Sequence, residues 1–189
     1  MNNVIQSIDV VIGAGNPGAV GVRLRGAQAS HLQDVTVEAG DGAIGIAALA
    51  GSGGGHSNVT VRGGRFGIDG RLSQPGPTLS GVIVDGSTCA GILYSGLQTL
   101  SLSGANVSVP AGVPAVVAGF PLPVYFPNSA FAGQYKDTGT GTGPCILPDL
   151  EDSQGPDPAL SGQITISDSV LSQGGAASSA QIPMSRYGS

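Results

Sequence analysis

Leu32-Gln-Asp-Val35-Thr-Val37-Glu38, His56-Ser-Asn-Val59-Thr-Val61-Arg62 and Leu79-Ser-Gly-Val82-Ile-Val84-Asp85 are three copies of one pattern. Val35, Val59 and Val82 recur at almost even steps. A fourth copy, Leu97-Gln-Thr-Leu100-Ser-Leu102-Ser103, arrives after a clearly shorter step. Within each copy apolar residues alternate with polar ones, which marks a strand with one buried face. Short strands returning at such a period mark a stacked repeat, in which each unit buries its apolar side only against its neighbours.

A second ladder runs between these strands. Gly18-Ala-Val20-Gly-Val22, Gly42-Ala-Ile44-Gly-Ile46, Arg65-Phe66-Gly-Ile68 and Cys89-Ala-Gly-Ile92 occupy equivalent places, and their final aliphatics keep nearly the same step throughout. Each unit therefore holds at least two short strands with turns between them. The expected fold is all-β: a right-handed, single-stranded parallel β-helix of six to eight rungs. Ile5-Gln-Ser-Ile8-Asp-Val10 fits as an earlier rung and Leu160-Ser-Gly-Gln-Ile164-Thr-Ile166 as a late one. The helix is expected over residues 1–173, with an irregular Pro/Gly-rich loop at about 110–158 that includes Thr138-Gly-Thr-Gly-Thr-Gly-Pro144, and a frayed tail over 174–189.

Glycine and proline, 33 and 13 of 189 residues, are abundant, but the regular strands between them argue against disorder. Charged residues are 10% of the chain and the net charge is −5, so there is no basic stripe for nucleic acid. No apolar run reaches the roughly 20 residues that cross a bilayer, so no membrane partner is expected. Cys89 and Cys145 stand far apart in the chain, and either a disulfide or two buried thiols would fit. The cysteine spacing is not that of a zinc site, and no metal or other cofactor is expected. Met1 leads straight into strand sequence without a basic segment, apolar stretch or cleavage site. No signal peptide is read there, and a longer parent protein is expected.

Aligned rungs place equivalent residues about 4.8 Å apart. One outward column then reads Glu38, Arg62, Asp85, Ser103. Glu38 and Asp85 are the candidate catalytic carboxylates, with backbones about 9.6 Å apart and room for a water, as an inverting glycosidase needs. A surface ladder of alternating charge fits the same column. On the other strand Arg23, Ala47, Asp69 and Leu93 align, and Arg25, Leu49, Arg71 and Ser95 form the next column. Both are read as outward, so Arg23, Arg25, Asp69 and Arg71 form a patch able to hold a hydroxylated or acidic sugar. Gly51-Ser-Gly-Gly-Gly55 lacks the Lys-Ser/Thr and helix of a phosphate loop and reads as a turn. His31 and His56 sit in consecutive units but not at the same position, with no further ligands in view.

Gly18-Ala-Val-Gly-Val22, then Gln28-Ala-Ser-His-Leu32-Gln-Asp-Val35, then the Gly51–Gly55 turn leading to Val59-Thr-Val-Arg-Gly-Gly64-Arg-Phe-Gly67, resemble the pectate-lyase-like superfamily in order and spacing. Over about residues 2–109 they are most similar to the exo-β-1,3-glucanases of glycoside hydrolase family fifty-five. The resemblance implies two parallel β-helices side by side with a cleft between them, hence a second β-helix domain in the parent protein. It implies a secreted protein acting on polysaccharide. The family's sugar-facing turn falls on Ile68-Asp69-Gly70-Arg71-Leu72-Ser73-Gln74, where Gln74 alone corresponds. Its tryptophan is missing, since the chain has none, and its general acid has no counterpart. The expected substrate-binding residues are Gln28, Asp69, Arg71 and Gln74. The chain is thus expected to be one wall of a β-1,3-glucan hydrolase cleft and inactive alone. The alternatives are a noncatalytic glycan-binding or spacer module, as in adhesins or tail spikes, and a pectate-type lyase.

Overall fold

The structure is a computed structural model. It describes residues 3–26, 28–51, 53–70, 73, 76–94, 98–118, 145, 164–174 and 176–177. In chain order the strands are β1 (Val4–Val11), β2 (Val20–Arg23), β3 (His31–Gly40), β4 (Ile44–Ala47), β5 (Gly55–Gly63), β6 (Phe66–Gly70), β7 (Thr78–Ser80), β8 (Ile83–Asp85), β9 (Ala90–Tyr94), β10 (Leu100–Ser103), β11 (Asn106–Val109), β12 (Val116–Ala118), β13 (Ile164–Ser167), β14 (Val170–Gln173) and β15 (Ala176–Ala177). They stack as a parallel β-solenoid with two sheets. Sheet one runs through β1, β3, β5, then β7 with β8, β10 with β11, and β13 with β14. Sheet two runs through β2, β4, β6, β9 and β12.

The ladder of sheet two has the register expected of it: Val22, Ile46, Ile68 and Ile92 pair in turn, and Val116 adds a fifth level. That level lies inside the stretch expected to be irregular from Pro110. Pro110 and Pro114 flank the turn closed by the Val113 N–H on the Pro110 carbonyl, and they interrupt the apolar pattern that β12 resumes. At the other end β15 pairs antiparallel with β14, so the expected tail opens with a strand.

One register differs from expectation. Leu100-Ser-Leu102 does not match Val82-Ile-Val84. Leu102 pairs with Leu79, and Val107 pairs with Val84. The step from one level to the next is therefore the same here as elsewhere, and the short fourth step vanishes. The late rung shifts likewise: Ile166 pairs with Leu102, so Ile164 matches Leu100 and not Val82.

The reason is a bend that recurs at every level of sheet one. Ser7, Asp34, Asn58, Gly81, Gly104 and Asp168 all have positive φ, between 48° and 61°. The strand pairings place them in one column. Each adds one residue to the alternation, so the inward residues on either side of it stand three positions apart, as Leu32 and Val35 do. Asn, Asp and Gly tolerate this conformation best, and the Asn58 amide also donates to the Asp34 carboxylate of the level before it, at 2.6 Å.

The main core lies between the sheets. Leu32, Val35, Val37, Val59, Val61, Leu79, Val82, Val84, Leu102 and Val107 of sheet one meet Ile46, Ile68 and Ile92 of sheet two. The sheets approach most closely at Gly21, Gly45, Gly67 and Gly91. A Cβ at Gly45 would lie 2.3 Å from Val61 Cγ1 and 2.7 Å from the Gly67 carbonyl oxygen, and the others are equally tight. A second apolar layer covers the outer side of sheet two, where Ile44, Ala47, Phe66, Ala90, Leu93 and Val117 cluster. Cys89 and Cys145 are joined there in a disulfide, with Cα atoms 5.5 Å apart, which decides between the two readings of the cysteines.

Candidate functional site

The second layer removes one expected surface. Arg23, Ala47, Asp69 and Leu93 do align. However, Ala47, Asp69 and Leu93 are fully buried, and only Arg23 is exposed. Asp69 therefore does not face solvent, contrary to the outward reading. Strand alternation gives two faces, but it makes the outer one wet only if nothing covers it. In the next column Arg25 is exposed but Leu49 is buried in the main core. Gln28, at the corner between β2 and β3, is exposed as expected. Arg71 and Gln74 lie outside the described residues. Of the four expected sugar contacts, the described residues show Gln28 exposed and Asp69 buried.

The outer face of sheet one is open. Its expected column is present, Glu38 pairing with Arg62 and Arg62 with Asp85, but Ser108 follows Asp85 in place of Ser103. Arg62 Nη1 donates to Glu38 Oε1 at 2.5 Å. Both side chains are about half exposed, at 52% and 43%, and such pairs stabilise by less than about 1 kcal/mol. The guanidinium stands in the level between Glu38 and Asp85, where an inverting enzyme would keep its nucleophilic water. Asp85 is exposed at the next level. The column is thus built as a ladder of alternating charge.

Beside it the face carries small hydroxyl groups in register. Ser57, Ser80, Ser103 and Ser167 form one column, and Thr78, Ser101 and Thr165 form another two positions away along the strands. All are exposed except Ser103, which is half-buried. The repeat of the first strand pattern held this array, but the misplaced fourth copy concealed it.

Two titratable groups with strongly shifted behaviour lie inside. Tyr94 is fully buried with its hydroxyl donating to the Gln98 carbonyl, and burial raises the phenol to about 12. It anchors Gln98 to the end of β9. His56 is buried between β3 and β7, and burial together with the charge of His31 lowers its imidazole to about 4. Among the described residues no group of three or more His, Cys, Asp or Glu is placed to hold a metal ion.

The chain matches no family model, no curated protein and no solved structure. What its open face offers a ligand is hydroxyls, amides and the Glu38–Arg62 pair, with no aromatic side chain among the described residues of the outer face of sheet one.

Proposed function

We propose that this chain is a polysaccharide-binding β-solenoid, one wall of an extracellular β-1,3-glucan-degrading protein, and that it binds through the outer face of sheet one. The observation that carries this reading is the flat exposed array of serine and threonine hydroxyls at rung spacing, bordered by Glu38, Arg62 and Asp85. Sugars are recognised by hydrogen bonds from such groups, and a repeating face suits a repeating ligand. The resemblance of residues 2–109 to family fifty-five glucanases gives the substrate class. The disulfide fits an oxidising compartment outside the cytosol.

The Glu38–Arg62 pair favours binding over hydrolysis by this face, because Arg62 stands in the level between the two carboxylates and is bonded to one of them. With no aromatic side chain among the described residues of this face, affinity should be low, in the millimolar range of about −4 kcal/mol. The test is titration calorimetry of the purified chain against soluble β-1,3-glucan, xylan and polygalacturonate, with Ser80→Arg as the blocking variant. Binding to β-1,3-glucan that Ser80→Arg abolishes is the expected result. No heat with any of the three at millimolar sites, or binding unaffected by Ser80→Arg, would refute the proposal.

A further inference from the structure

One inner column of sheet one reads Ile5, Leu32, His56, Leu79, Leu102, Ile166. Five levels hold an aliphatic side chain and one holds a histidine, which is only 2% exposed. Leucine would fill this place without burying a polar ring, so the histidine does something leucine does not. Its ring bridges two elements. The Leu32 N–H of β3 points at Nδ1 from 3.1 Å, and the Ala50 N–H points at Nε2 from 3.2 Å. Ala50 belongs to the corner between β4 and β5, where Ala48, Leu49 and Ala50 are all fully buried. That corner is packed tightly against its neighbour: a Cβ at Gly54 would lie 2.4 Å from the Ser30 carbonyl oxygen.

A neutral imidazole has one nitrogen lone pair free to accept, so it holds one of these two amides at a time. A protonated ring has none. It would set two N–H groups of its own against two backbone N–H groups, in a site closed to solvent.

We propose that His56 is an acid-released latch: neutral, its ring accepts from the Leu32 amide of β3 or the Ala50 amide of the 48–51 corner and holds that corner closed, and protonation expels the ring and opens it. His31, on β3, is the titratable group whose charge acts on the ring. Its partners in the inner column, Leu32 on β3 and Leu79 on β7, and Ala50 at its Nε2 do not titrate. The sign follows from where the proton binds. An opened ring takes its proton near 6.5, whereas the closed ring does so only near 4. Closure is therefore complete above 6.5, weakens as the pH falls, and loses no more below about 4. Between pH 7 and pH 5 the opening equilibrium should rise roughly twenty-fold.

Hydrogen exchange of the full chain, with rates corrected for the intrinsic effect of pH, reads this at the Leu32 and Ala50 amides. In the wild type their protection should fall about twenty-fold from pH 7 to pH 5. In His56→Gln, whose amide oxygen still accepts but does not titrate, it should stay level. A flat wild-type profile, or the same fall in His56→Gln, overturns the latch. Should the variant fail to fold, NMR titration of the His56 ring in the wild type decides: a midpoint near 4 supports the latch, and one near 6.5 in the folded protein overturns it.

Discussion

Gly45→Ala should be among the most damaging single-methyl changes available in this chain. The added Cβ would meet Val61 Cγ1 at 2.3 Å and the Gly67 carbonyl oxygen at 2.7 Å. Ordinary contact begins near 3.4 Å, so about 1 Å must be found at the first and about 0.7 Å at the second. Val61 is fully buried and has little space to turn. The carbonyl belongs to the backbone of the next level and is held there by the pairing of β4 with β6. Overpacking typically costs about 1–3 kcal/mol, and a backbone obstacle puts this site at the upper end, about 3 kcal/mol. For a domain of this size that lowers Tm by about 6–12 °C. Gly18→Ala is the matched control, because its Cβ would meet nothing within 4 Å and its φ is ordinary. It should change stability by about 0.5 kcal/mol or less, in the stabilising direction. Differential scanning calorimetry at fixed pH reads both. The close approach of the two sheets is wrong if Gly45→Ala melts within about 2 °C of the wild type, or if Gly18→Ala costs as much.

Four further outcomes are expected. Cys145→Ala opens a crosslink between cysteines at a sequence separation of 56 and should cost about 4 kcal/mol by loop entropy; a urea midpoint insensitive to both the substitution and reductant would contradict this. Arg62→Ala removes an exposed pair and should cost less than about 1 kcal/mol, so a larger loss in chemical denaturation means the ladder stabilises more than its exposure allows. Asn58→Val forces a β-branched residue to φ 51° and should cost about 1–2 kcal/mol, whereas Asn58→Gly should lie much nearer the wild type; equal melting temperatures would undo the bend column. Val82→Asp places a carboxylate at a position without exposure, and a cooperative melt retained in that variant would mean that Val82 does not face the core.

The solenoid was legible because strict aliphatic spacing survives wherever the side chains are large. Val22, Ile46, Ile68 and Ile92 pair as their spacing demands. The same spacing misled at the fourth unit. Leu79, Val82 and Val84 are separated by three positions and then two, and so are both Leu97, Leu100, Leu102 and the true match, Leu102, Ala105, Val107. Ala105 is small enough to hide the second. Glu38, Arg62 and Asp85 were placed correctly because they follow Val37, Val61 and Val84 directly. Asp69 was misread for a different reason: alternation says which way a side chain points but not what lies beyond it. The apolar company it keeps, Ala47 and Leu93, was the available sign of a second layer. His56 stood in plain view at the first position of its repeat, in register with Leu32 and Leu79, which fixes its burial without any structure.

The disulfide has a consequence for the order in which the solenoid is assembled. Successive levels from β3 to β12 recur at a nearly constant step, so each finds its place by a short local search. The last level breaks this economy. Where Asn58 reaches back to Asp34 across a sequence separation of 24, Ser169 meets the Ala105 N–H across one of 64, nearly three times as far. Once Cys145 is tied to Cys89, however, the chain from that anchored point to Ile164 is shorter than one ordinary turn of the solenoid. Oxidation thereby turns this distant docking event into another nearest-neighbour step, and β13 and β14 should gain hydrogen-exchange protection at the same rate as the other levels only after the bond has closed.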